Sequence, residues 1–143
     1  MRRKLGHGFA VVQGRLAAAL EQQGLKVVAQ LSTTEILARA GYAVPGVHQI
    51  FFFRPEFMNE IILLDQRNKT EEPENAIMRA PLKAVIVEDG VESRIEIQDP
   101  VDIFRNHPSL AHLAADMGER IVRALDEFNA VRTQAKAGQR SSE

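Results

Sequence analysis

Leu82-Lys83-Ala84-Val85-Ile86-Val87-Glu88, then Asp89-Gly90, then Val91-Glu92-Ser93-Arg94-Ile95-Glu96-Ile97-Gln98, is a pair of alternating runs around a turn dipeptide. Asp-Gly is a preferred centre for a two-residue hairpin turn. With that turn, Leu82 falls opposite Ile97, Ala84 opposite Ile95 and Ile86 opposite Ser93, so one face is mostly apolar. On the other face Lys83 meets Glu96, Val85 meets Arg94 and Val87 meets Glu92. A slip of one residue would mix the two faces, so the pattern itself selects antiparallel pairing.

Beyond the hairpin, Asp99-Pro100 forms a turn, and a long helix is expected after Pro108 with Ser109 as its cap. Leu110, Leu113, Met117, Ile121, Leu125 and Phe128 make one stripe along it. Burying six such side chains is worth roughly 9–18 kcal/mol gross, as an upper bound. The stripe fades past Arg132, so one domain is expected over 1–132, with a disordered tail over 133–143.

Upstream of the hairpin, Asp65 to Asn75 is polar throughout and reads as an exposed loop. Pro55 suits the first turn of a helix that buries Phe57, Ile61 and Leu64. Val47 to Phe53 is dense in β-branched and aromatic residues and reads as a strand. Successive strand side chains alternate faces, so at least one of Phe51, Phe52 and Phe53 points away from the helix-covered core, toward a dimer interface or ligand pocket, unless a second layer covers that face too. Ser32 and Glu35 have capping-box spacing before a short helix that stops at Gly41. Leu25 to Leu31 reads as a strand with Leu25, Val27, Ala29 and Leu31 on one side. Phe9 to Gln23 carries Phe9, Val12, Leu16, Ala19 and Leu20 at helical spacing, with Gly24 as its stop. A short strand in Arg2 to Gly6 precedes it. The order helix, strand, helix, strand, helix, strand, strand, helix argues for an α+β fold. It implies a mainly antiparallel sheet with helices packed on one face and a long C-terminal helix.

At 143 residues, one domain can bury roughly 70% of its unfolded surface without staples. There is no cysteine, which excludes disulfides, thiolate metal sites and thiol nucleophiles. A reducing, cytoplasmic setting is expected. Eighteen basic against nineteen acidic residues leave a net charge of −1, so no nucleic-acid or membrane partner is expected. The basic clusters at Arg2, Arg3 and Lys4 and at Arg132, Lys136 and Arg140 read as solvated termini. No run approaches the roughly 20 apolar residues of a membrane span.

Site motifs are few. There is no phosphate loop, nucleophile elbow or metalloprotease histidine pair. Gly6-His7-Gly8 does not follow a strand of a βαβ unit. His112 and Asp116 share a helix face, yet a solvated pair is the reading preferred over a metal site, and no cofactor is expected. No catalytic residue is assigned. Three candidate ligand-binding residues remain. Arg54 stands at a helix start, where amides and a guanidinium suit an anion. Lys83 stands at a strand entrance after Pro81, and His48 near a strand start.

Four segments resemble the domain-of-unknown-function 302 family, small bacterial and archaeal α+β proteins with no settled activity. They are GRLAAALEQQGLKVVAQL from Gly14 to Leu31, FFFRP from Phe51 to Pro55, APLKAVIVEDG from Ala80 to Gly90, and IEIQDP from Ile95 to Pro100. The likeness spans about residues 9 to 130. Arg54 stands where the family usually has Asn, Phe53 where it has Gly or Cys, and Ile97 replaces a frequent Tyr. Leu82 agrees with one branch; the other has Cys there, so a cysteine-dependent role cannot operate. The family's opening strand would need most of Met1 to Gly8, so either a shortened strand or a true start other than Met1 is expected. The resemblance implies a compact α+β sandwich that self-associates as a dimer, and no substrate. It also marks Pro55, Pro81, Lys83, Asp99 and Pro100.

Two functions compete on this basis. The first is a non-enzymatic, homodimeric small-molecule-binding or accessory protein, with a small anionic ligand. The second is a hydrolase or lyase acting on a small anionic substrate, with Arg54 and Lys83 on the anion and His48 as acid or base. The second requires all three to share one cleft.

Overall fold

The computed structural model describes residues 1–68 and 75–141, with side chains as far as Val131. Five strands, β1 (Arg2–Leu5), β2 (Lys26–Ser32), β3 (Val47–Phe53), β4 (Leu82–Asp89) and β5 (Glu92–Ile97), form one sheet in the order β1-β5-β4-β3-β2. All four pairings are antiparallel. The helices are α1 (Phe9–Gln22), α2 (Thr33–Arg39), α3 (Pro55–Arg67), α4 (Pro100–Ile103) and α5 (Ala111–Ser141). The α+β class, the sheet and the long last helix are as the sequence implies.

Burial alternates along the central strands. Ile50 and Phe52 of β3, Leu82, Ala84 and Ile86 of β4, and Ile95 and Ile97 of β5 are fully or almost fully buried. Their neighbours in sequence are only half-buried or exposed. One face of the sheet is therefore roofed. Val12, Leu16 and Leu20 of α1 and Met117, Ile121, Leu125 and Phe128 of α5 supply the roof. The predicted stripes of both helices face the core, with Phe9, Ala19 and Leu113 only partly buried against it. Gly24 ends α1 with φ +80°, which glycine adopts without strain. Phe57 of α3 packs on Phe104 with ring centroids 4.8 Å apart, closing one end of the core.

The hairpin turns one residue later than its sequence suggests. Asp89 pairs with Glu92, so Gly90 and Val91 are the turn centres. Gly90 carries φ +63° and Val91 no positive φ, the pattern of a hairpin turn with glycine first. The register moves by two residues, so every side chain keeps its face but changes partner. Ala84 faces Ile97, Val85 faces Glu96 and Val87 faces Arg94. Lys83 thereby loses the expected Glu96.

Other local expectations also shift. An irregularity between Val27 and Ala29 puts Val27 beside Phe52 and Ala29 beside Phe51, on opposite faces. Ser32 makes no side-chain cap on α2, so the capping box does not form. Instead Thr34 Oγ1 accepts from Val47 N at 2.6 Å, pinning α2 to the start of β3. Ser109 lies in a short 3-10 turn rather than capping α5, while Asp99 caps α4 by accepting from Val101 N at 3.0 Å. Helix α3 runs into the expected loop as far as Arg67, and Asp65 accepts from Ala76 N at 2.7 Å and Ile77 N at 3.0 Å. The rest of that loop, 69–74, lies outside the described residues. Helix α5 continues to Ser141, and the side chains of the expected tail lie outside the described residues.

Candidate functional site

Arg54 leaves β3 and precedes Pro55 at the start of α3, but it faces carboxylates rather than an open anion site. Its Nη1 donates to Asp116 Oδ2 and its Nη2 to Glu56 Oε2 at 3.1 Å. The Arg54 side chain is only 14% exposed. Arg120, one turn after Asp116 on α5, donates from Nε to the same Oδ2 at 2.9 Å and from Nη1 to Gln23 O at 2.8 Å. The carbonyl of Gln23 is left free where α1 ends, so Arg120 satisfies it. Asp116 thus sits between two guanidiniums. The Arg120 hydrogen bond, helped by the charges of Arg120, Arg54 and Arg123, holds its carboxyl below the ordinary carboxylate range, against the opposing effect of burial. The arrangement ties the β3–α3 junction to α5 and to the end of α1. It also removes Asp116 from any metal site with His112, which instead lines a shallow groove with Glu56 and Glu60. Among the described residues no three acidic or histidine side chains are grouped to hold a metal ion.

His48 turns inward. It is 6% exposed, on the roofed face of β3, with Nε2 2.8 Å from Gln30 Oε1. The amide oxygen is an acceptor, so the proton belongs on Nε2. Nδ1 is buried without a partner. Protonating it would put a second N–H where nothing accepts it. Burial accordingly lowers the His48 pKa, with the charge of Glu35 opposing.

This has a consequence for stability. The unfolded chain protonates His48 near pH 6.5 and the folded chain only at lower pH. Stability is therefore full above about pH 6.5 and is expected to fall as pH drops from there toward the folded value. Urea unfolding at pH 7.5, 6.5 and 5.5 should show this loss, and His48→Gln should remove that part of it.

Lys83 lies on the opposite, unroofed face, directly across from Phe51. It makes no ion pair among the described residues, and its backbone N donates to Gln98 Oε1 at 2.9 Å. The three candidates therefore do not meet. His48 and Lys83 are on different faces, and His48 and Arg54 stand six residues apart along extended chain, about 20 Å. Grooves of about 570 Å³ between α1 and α5 and about 830 Å³ beside α5 contain none of them.

The unroofed face has its own character, most of which single-sequence reading left unassigned. Val47, Phe51 and Phe53 of β3 and Val85 and Val87 of β4 form its half-buried centre. Arg2 pairs with Glu96, and Lys4 with Glu92 at 3.5 Å, along the β1–β5 side. Lys26, opposite Phe53, and Arg94, opposite Val87, make no ion pair among the described residues. The signal for this face was the polar phase of the strand alternation, which mixes lysines with valines and phenylalanines.

No helix of the described residues is long and apolar enough to cross a membrane. No curated protein matches the chain. Among solved structures, an uncharacterized conserved DUF302 protein from Bacillus stearothermophilus is similar, with 22% identity and a TM-score of 0.71 over 88% of this chain and 94% of that one. The likeness at that identity concerns the fold. The model of the family "Domain of unknown function DUF302" matches residues 1–128. With the whole sheet and most of its helical roof inside that match, the chain belongs to the DUF302 family.

Proposed function

We propose that the chain is a non-enzymatic, homodimeric small-molecule-binding or accessory protein that works through the unroofed face of its sheet, in a reducing, cytoplasmic setting. One observation carries this reading: its own helices leave Val47, Phe51, Phe53, Val85 and Val87 only half-buried together, around Gln49. Contiguous apolar surface of this kind marks an interaction site. Five strands about 4.8 Å apart and about 20 Å long present roughly 500 Å² in projection, of the order of the ~800 Å² of accessible surface that each partner of a standard interface buries. An apolar centre with charges at its edge is also the usual anatomy of such an interface. The rival reading, a hydrolase or lyase, asks His48, Arg54 and Lys83 to share a cleft, and their separation speaks against it.

Native mass spectrometry on gently purified protein tests the reading. A dimer mass is expected. Val87→Lys, opposite Arg94, would add a further unpaired cation to the interface and should weaken the dimer at least about 100-fold while circular dichroism stays unchanged. A bare monomer of the wild-type chain would overturn the proposal.

A further inference from the structure

The charges of the unroofed face do not balance. Arg2 and Lys4 are each engaged by an acid, Glu96 and Glu92. Those two acids are thereby used, and Asp89, opposite Glu92 at the turn, is the third acid of the face. Lys26, Lys83 and Arg94 make no ion pair among the described residues, although the chain as a whole carries a net charge of −1. Arg2, Lys4, Lys26, Lys83 and Arg94 against Glu92, Glu96 and Asp89 leave an excess of positive charge on the face that also carries the half-buried rings of Phe51 and Phe53.

Two of the three cations flank those rings. Lys26 stands opposite Phe53 across the β2–β3 pairing, and Lys83 opposite Phe51 across the β3–β4 pairing. Side chains in such cross-strand positions are direct neighbours, about 5 Å apart at Cβ. Lys83 is itself only half-exposed. The two-residue register shift of the hairpin is what leaves it unpaired, because Glu96 faces Val85 instead.

We infer that this corner binds a small anion with an aromatic or apolar body, the body lying on Phe51 and Phe53 and the acidic group held between Lys26 and Lys83. The inference rests on the proposed binding role and names the ligand class. It also links ligand to assembly. Stacking two such faces would bring unpaired cations of both copies together, and an anion between them offsets that repulsion. A neutral ligand of the same shape would not.

The test uses the intact chain and two fluorescent probes, 8-anilinonaphthalene-1-sulfonate and its uncharged relative N-phenyl-1-naphthylamine, at low ionic strength. The sulfonate is expected to bind the wild type and to lose about tenfold in affinity in Lys83→Gln and in Lys26→Gln, the scale of one charge-assisted contact. Arg15→Gln, on the exposed side of α1, should leave its binding unchanged. The neutral probe should be indifferent to all three substitutions, and the sulfonate should raise the dimer fraction in native mass spectra. Equal sulfonate binding by wild type and both lysine variants would overturn the assigned corner. A wild-type dimer that takes up no sulfonate would overturn the ligand class while leaving the homodimer standing. A bare wild-type monomer would instead overturn the reading on which the inference rests.

Discussion

Phe52→Ala is expected to destabilise the chain by about 3–5 kcal/mol, the cost of emptying a large core site. Phe52 is fully buried, between Ile50 on its own strand and Leu82 across the β3–β4 pairing, under the helical roof. Set against a typical total of about 5–15 kcal/mol, this would leave the fold marginal. At about 3–5 °C per kcal/mol for a domain of this size, the melting temperature should fall by roughly 10–20 °C. The adjacent Phe51→Ala gives the contrast. Phe51 is on the unroofed face and only half-buried in one chain. Its truncation should cost an isolated chain no more than about 1.5 kcal/mol, yet it should weaken the dimer and the bound anion. Paired melting and native mass measurements separate the two. Equal destabilisation by both, with the dimer intact, would show that Phe51 serves the core and not the interface.

The second large effect is expected at Asp116. Removing it as Asp116→Ala leaves Arg54, 14% exposed, facing Arg120, 26% exposed, with only the exposed carboxylate of Glu56 for compensation. Breaking a fully buried pair costs about 3–5 kcal/mol and a surface pair about 0–1. The intermediate exposure here places the loss near 2 kcal/mol. Urea unfolding at pH 7 reads it directly. The companion variant Arg54→Met with Asp116→Leu should recover part of the loss, because it removes the stranded charge along with its partner. The acid limb provides a further check. Because Asp116 titrates below the ordinary carboxylate range, its contribution is present above about pH 3.9 and is lost as pH falls through the lower folded value. Asp116→Ala should lack that loss. A loss of stability that the companion variant does not reduce at all would mean that side-chain volume, not charge, matters there.

The legibility of the site follows from what its parts depend on. Lys83 was visible as a candidate from its place after Pro81, but its partner was not. That partner depends on whether the turn centre is Asp89-Gly90 or Gly90-Val91, and both choices keep the same apolar face. Arg54 was visible as an arginine before a helix, and its binding by Asp116 was not, because 62 residues separate them. The acid–base spacing of Asp116 and Arg120 could have been read as a helical i,i+4 pair. The Gln30 partner of His48 had no local signal.

By itself the sequence determined the α+β class, the helix stripes, the glycine stop at Gly24 and which residues of β3, β4 and β5 share a face, but not those of β2. These follow from local backbone preference and from the periods of 3.6 and 2, which repeat within a few residues. Only the tertiary structure decided which face the helices roof, that His48 turns inward, that Arg54 is tied to Asp116, and that Lys26, Lys83 and Arg94 are left unpaired around half-buried phenylalanines. Those outcomes depend on strand register and on contacts between residues far apart in the chain. Two registers that bury the same apolar face differ little in hydrophobic burial, so the turn geometry and long-range packing choose between them.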